Sequence, residues 1–333
     1  ARAIGAWSGL GGVAAAAGPF LGGWLVDAIN WRWVFFINVP LVALAVAASL
    51  RWVPETRDTT ATGRFDLLGS GLGAVFLGGL TFALIQFRSG VPAVIAAVIA
   101  VAAGIGFAIV ERRGGNPVLP PAMFANRQFS AINTVTFFVY ASLGGVLFFL
   151  VLQLQVVSRY SALQAGITML PFTLLMLVFS ARAGALGDRI GPRLPLSLGP
   201  LLSAVGVVLL LGVDNNAPYW TQVFPGVMVL SVGMTLTVAP LTAGVLAATD
   251  MAHAGVASGI NNAVARAASL LAVAALPLIA GLTGDAYDNP DVFGLAYQIA
   301  IMVCAGLFII AAVVGAALVR NPAEGETTPT RPA

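Results

Sequence analysis

The sequence predicts an all-α polytopic membrane protein with about ten transmembrane helices. Three observations carry that reading. Hydrophobic residues make up 59% of the 333-residue chain and charged residues only 9%, with a mean hydropathy of +0.95. A soluble domain carries about 25% charged residues to cover its water-facing surface. The apolar residues also fall in stretches of about 20, the length that crosses a hydrocarbon core about 30 Å thick as a helix. Finally, none of these stretches alternates apolar with polar residues, as the shorter strands of a membrane barrel do.

In chain order the stretches lie near residues 3–28, 33–53, 66–87, 91–110, 129–153, 162–186, 193–213, 219–247, 255–282 and 295–319. The chain begins at Ala1 rather than a methionine and enters the first stretch almost at once, the pattern expected of a chain cut from a longer one. All 16 basic residues are arginine. With the N-terminus placed inside, the inner loops hold Arg2, Arg51, Arg57, Arg64, Arg112, Arg113, Arg127, Arg182, Arg189, Arg193, Arg320 and Arg331. The outer loops hold Arg32, Arg88 and Arg159, and Arg266 falls within a span. The positive-inside rule therefore puts both ends of the chain in the cytoplasm. The polar stretch from Glu111 to Gln128, rich in Pro and Arg, is the natural joint between two bundles. The Pro-rich residues 321–333 read as a disordered tail.

Several function classes fall away. Dispersed arginines and a net charge of +3 give no nucleic-acid patch. No phosphate-binding GxxxxGK[ST] loop and no metal-spaced Cys/His set occurs, so neither cofactor nor metal is expected and enzymatic chemistry is not. The single cysteine, Cys304, reads as a small buried hydrophobe, and the one histidine, His253, as a solvated loop residue.

Four groups of residues remain as candidates. In the first span, Pro19 weakens the backbone ladder, while Gly18, Gly22 and Gly23 allow close helix approach. A gate and an ordinary kinked packing helix both fit that pattern. Between the sixth and seventh spans, Gly184, Gly187 and Gly191 permit a tight turn in which Asp188 can pair with Arg189 or Arg193. This is either a conformational latch or a solvated turn. Arg266 lies roughly 16 Å into its span, where a charge is costly and by default functional, with snorkelling as the alternative. Asn261 and Asn262 lie about a turn before it. In the fifth span Phe137, Phe138, Tyr140, Phe148, Phe149, Gln153 and Gln155 fit either a weakly polar cavity for flat lipophilic molecules or a packing surface. All 13 acids fall in loops or at span ends, so no carboxylate stands mid-span to carry a proton.

GPFLGG at 18–23 resembles the antiporter motif of major facilitator exporters, GxxxGPxxGG, with Ala14 in place of its first glycine. NWRWVFFINVP at 30–40, FDLLG at 65–69 and the long run 126–155 resemble the fourteen-span drug:proton antiporters of the EmrB/QacA type. GALGDRIGPR at 184–193 resembles the C-half copy of that superfamily's cytoplasmic loop motif. GVASGINNAVARAAS at 255–269 is similar to the family's penultimate span, commonly N-x-x-R-Q-x-G-G; here Arg266 is kept, but Ala267, Ala268 and Ser269 replace part of the rest.

The resemblance implies a major facilitator fold in which these ten spans match spans five to fourteen. Residues 1–53 would be the last two helices of an N-terminal bundle, 54–125 an extra helix pair with its linker, and 126–320 a C-terminal six-helix bundle. It further implies a monomer in a bacterial inner membrane that exports lipophilic small molecules in exchange for protons. The first-span acid and fourth-span arginine tied to coupling in that family have no counterpart here, so the chain alone is expected not to drive export.

Overall fold

A computed structural model describes residues 18, 20–52, 66–114, 117, 119–249 and 253–321. Pro19, most of the first span and residues 322–333 lie outside the described residues. Among the described residues the structure is helical, with no strand. Residues 20–28 form α1. The remaining long helices are α2 (Trp33–Trp52), α3 (Leu67–Ile85), α4 (Val91–Arg113), α5 (Arg127–Val157), α6 (Ala162–Ile190), α7 (Pro195–Gly212), α8 (Tyr219–Ala247), α9 (Ala254–Ile279) and α10 (Pro290–Leu318). All nine of these are long and apolar enough to cross a membrane.

Local sequence sets the helix starts. The Asp66 carboxylate accepts the Gly69 amide at 2.8 Å and caps α3. Asn126 accepts from Gln128 and Phe129 and caps α5. Ser161 and Gln164 form a reciprocal capping box at the start of α6, and Asn289 caps α10. Each cap satisfies amides that the first helical turn leaves without partners.

Three boundaries differ from the sequence expectation. Helix α10 begins at Pro290, five residues before the expected start, because Asn289 supplies the cap and Pro290 suits the first helical position. Helix α5 runs on through a π-helical turn, Gln153–Val157. Helix α6 continues to Ile190, so Gly184, Asp188 and Arg189 are helical and Arg182 lies two turns inside the helix, over the Phe179 ring at 5.5 Å. Only Gly191, with φ +82°, makes the turn.

The hydrophobic core lies wholly within residues 129–319. There α5 to α10 pack in the spatial order α6–α8–α7–α10–α5–α9. Helices α3 and α4 pack on each other, and α3 also packs on α9. Helix α2 buries no residue. Lipid tails are as apolar as leucine, so helix association here depends on close approach and van der Waals contact. Glycine supplies that approach at the α7–α8 crossing, where Gly199 and Gly206 face Gly233 and Gly226.

The two ends of the bundle differ. One end, carrying Arg51, Arg112, Arg113, Arg127, Arg189, Arg193 and Arg320, is called the arginine-rich end. It is tied together by Asn126 donating to the Ala248 carbonyl and by Gln128 bonding reciprocally to the Arg320 backbone at 2.9 Å. At the arginine-poor end the last turn of α5 is stitched to the α7–α8 loop. Gln153 donates to the Val213 carbonyl, Ser158 to that of Asp214 and Tyr160 to that of Ala217.

Candidate functional site

Four candidate groups from the sequence take different places. Among the described residues Gly23 is the glycine of α1 that meets a neighbour. A Cβ on Gly23 would stand 2.7 Å from Leu163 Cα and 2.8 Å from the Ala162 carbonyl, whereas no described atom lies within 4 Å at Gly18 or Gly22. One turn on, the Asp27 carboxylate accepts the amides of Ala162 at 3.1 Å and Leu163 at 2.8 Å. It thus satisfies two of the orphan donors at the start of α6, where the helix dipole favours a negative group. Helix α1 therefore meets α6 at the arginine-poor end, through a bare glycine surface and a carboxylate. The sequence signalled Gly23 but not Asp27, whose role depends on a helix start 135 residues away.

At the arginine-rich end the expected pairing of Asp188 with Arg189 or Arg193 is not formed. Among the described residues Asp188 has no hydrogen bond or ion pair. Arg193 instead turns to the last turn of α10, where its Nε donates to the Ala316 carbonyl at 2.8 Å. Asn321 Oδ1 accepts the Arg193 amide, and Asn321 lies against Gly191. The cause is chemical: the C-terminus of α10 presents carbonyls without helical partners, and an arginine there satisfies one of them. Asp188 is left exposed at the end of α6.

The third group falls on the seam of α5 and α9. Arg266 is the thirteenth residue of the 26 in α9, at the middle of the span. Its side chain is exposed and makes no hydrogen bond with any described residue. Asn261, less than two turns away, donates to Asn133 Oδ1 at 3.1 Å and Thr136 Oγ1 at 2.8 Å. Asn133 and Thr136 donate in turn to the carbonyls of Phe129 and Ile132 in their own helix. Asn133, Thr136 and Tyr140 share one face of α5 by helical spacing. This clasp fixes the rotation of α9 about its axis. Asn262 points elsewhere and, among the described residues, bonds to the Ser258 carbonyl alone. Asn133 and Thr136 gave no separate signal in sequence, since a polar residue in an apolar run declares its partner only in three dimensions.

Asn261→Leu is expected to remove the clasp without unfolding the bundle, because Asn133 and Thr136 keep their backbone partners. Polar pairs between membrane helices contribute about 0.6 kcal/mol on average and up to about 1.7. Thermal unfolding in detergent should show a small loss, within that range, with expression unchanged.

The aromatic and amide residues of α5 do not converge. Phe149 is buried in the core against Phe293, with ring centroids 6.1 Å apart, and Gln153 is buried and committed to Val213. Phe137 is exposed, Phe138 and Gln155 are half-buried, and Tyr140 faces α9 near Arg266. A cavity of about 810 Å³ does open between α3 and α9 at the arginine-poor end, and of the candidates Phe148 alone lines it.

A model of the Major Facilitator Superfamily matches residues 1–273 and again residues 132–333. The chain belongs to the major facilitator superfamily. It is an integral membrane protein, as its apolar helices require. It is 32% identical over 284 residues to multidrug resistance protein Stp of Mycobacterium tuberculosis, a match covering 83% of this chain and 52% of Stp. It is 32% identical over 301 residues to the tetracenomycin C resistance and export protein of Streptomyces glaucescens, covering 86% and 54% of the two chains. It is 30% identical over 311 residues to a methylenomycin A resistance protein of Bacillus subtilis, covering 90% and 66%. This major facilitator chain thus spans about half the length of the first two relatives.

Proposed function

We propose that this chain forms part of an exporter of lipophilic drugs or toxic metabolites that works by alternating access and proton antiport. It carries no enzymatic activity. Its ten spans correspond to spans five to fourteen of the EmrB/QacA-type antiporters, with residues 126–320 as the C-terminal bundle and 54–125 as the extra pair. The arginine-rich end faces the cytoplasm of a bacterial inner membrane, as the loop arginines favour.

The observation that carries the proposal is the contact of Gly23 and Asp27 with the start of α6. Among the described residues it holds α1 against the C-terminal bundle at the arginine-poor end. A carrier must separate its halves at one face while closing the other, and this contact is small and polar enough to open. The names of the relatives, which refer to drug resistance and export, point the same way. A guanidinium is a fixed cation and not a proton carrier. Arg266 acts as a fixed positive charge in the substrate path. With no mid-span carboxylate in the chain, the proton is carried elsewhere in the transporter.

Efflux of a fluorescent lipophilic dye from cells expressing the native protein, with and without a proton uncoupler, tests the reading. Uncoupler-sensitive efflux is expected, and uncoupler-insensitive retention of the dye would count against it. A second reading, a dedicated exporter of one product, is favoured by relatives named for single compounds. Resistance to many unrelated compounds separates the broad exporter from the dedicated one.

Asp188 belongs to the same cycle. Asp188 is exposed and makes no hydrogen bond or ion pair with any described residue, and in this reading it takes a partner in another conformation of the cycle. Asp188→Asn should therefore slow turnover while leaving substrate affinity unchanged, as initial-rate measurements would show. A loss of affinity at unchanged turnover would place Asp188 in the binding site instead.

A further inference from the structure

We propose that the cavity between α3 and α9 is a binding site for an anionic glycerophospholipid, with an acyl chain in its floor and the phosphate on Arg88. The cavity measures about 810 Å³. That volume lies within the range of about 300–1,000 Å³ typical of small-molecule sites. Its lining is graded. Leu84, Phe148, Pro277 and Leu278 are buried or half-buried apolar lining, while Gln86 and Arg88 are exposed and Tyr287 is half-buried beside them. An amphiphile has the same gradient.

The position of the cavity selects the occupant. It sits at the ends of α3 and α9, beside the loops 86–90 and 280–289, where hydrocarbon gives way to headgroups. An apolar floor at that depth excludes water, and the surrounding solvent for these helices is acyl chain. Among the described residues Arg88 is the one charged residue lining the cavity. It makes no hydrogen bond or ion pair with any described residue, so its donors are free for a phosphate. Asp285 and Asp288 lie on the neighbouring loop but do not line the cavity. Arginine favours the planar, forked recognition of a phosphate, and a long side chain at a helix end reaches the headgroup layer readily.

The site has a mechanical consequence. The α3–α4 hairpin packs on the rest of the chain through α3 and α9 alone among the major helix contacts. A lipid wedged into that one seam holds the hairpin against the bundle.

Native mass spectrometry of the purified protein, titrated with phosphatidylglycerol or with phosphatidylcholine of the same chains, tests this. Preferential retention of phosphatidylglycerol is expected. Arg88→Gln should lower that retention about fivefold, the effect of one arginine at a membrane surface, and bring it to the phosphatidylcholine level. Ala274→Trp, which fills the floor, should remove both lipids. Millimolar inorganic phosphate should not displace the bound lipid, since the chain as well as the head is held. Size-exclusion profiles matching the parent establish that both variants are folded. Equal retention of the two lipids, unchanged retention in folded Arg88→Gln, or displacement by phosphate would each overturn the proposal, as would retention of a lipophilic dye in place of lipid.

Discussion

Replacing Gly23 with valine is expected to uncouple the carrier while leaving it in the membrane. The first atom of the new side chain would fall 2.7 Å from Leu163 Cα, a backbone atom that cannot swing aside as a side chain would. Helix α1 must then stand off from the start of α6, and the Asp27 carboxylate loses its reach to the Ala162 and Leu163 amides. Overpacking of this kind costs about 1–3 kcal/mol. Applied to the closed state alone, it shifts the two-state balance by roughly 5- to 150-fold. Dye efflux by the native protein carrying Gly23→Val should fall by a factor in that range. Gly22→Val, whose Cβ meets nothing within 4 Å, is the matched control, because the helix propensity changes identically. Equal efflux in the two variants would show that the α1–α6 contact does not gate.

A larger effect on the fold itself is expected at Gly206. A Cβ there would stand 2.8 Å from both the Gly226 carbonyl oxygen and Leu230 Cα, so two helix backbones would have to part. The α7–α8 crossing would separate over its whole length, since Gly199 and Gly233 form the next contact on the same faces. In an apolar solvent that loss is not compensated by water exclusion, and the crossing has only its close contact to hold it. Gly206→Ala should lower the unfolding midpoint by several degrees or abolish the monodisperse peak in detergent. Gly306→Ala in α10 meets nothing within 4 Å and gains helix propensity, about 1 kcal/mol in alanine's favour. It should be neutral or slightly stabilising.

The membrane helices were legible in the sequence because lipid imposes a simple rule: about 20 apolar residues with every backbone group bonded within the helix. Helix ends were less so. Asn289 extends α10 beyond its apolar run, and Gly191, not the earlier Gly187, ends α6, because capping and positive φ act on single residues rather than on average hydropathy. At the candidate site Arg266 announced itself, since a mid-span charge stands out in any apolar run. Its setting did not. The clasp of Asn133, Thr136 and Asn261 joins residues more than 120 positions apart, and each alone is an unremarkable polar residue. Arg193 illustrates the opposite error. Proximity in sequence suggested Asp188 as its partner, whereas the unbonded carbonyls ending α10 compete successfully for it.

The most direct measurement of the proposed cycle locks the α1–α6 contact. Asp27→Cys and Leu163→Cys join the two elements that Asp27 bridges, and Cys304, the one cysteine of this sequence, is buried. Dye efflux by the native protein bearing Asp27→Cys and Leu163→Cys is recorded before oxidation, after disulfide formation, and after reduction. Efflux that stops on oxidation and returns on reduction is the predicted result, since a carrier held shut at the arginine-poor end cannot release its cargo there. Efflux at an unchanged rate in fully cross-linked protein would contradict alternating access through this contact.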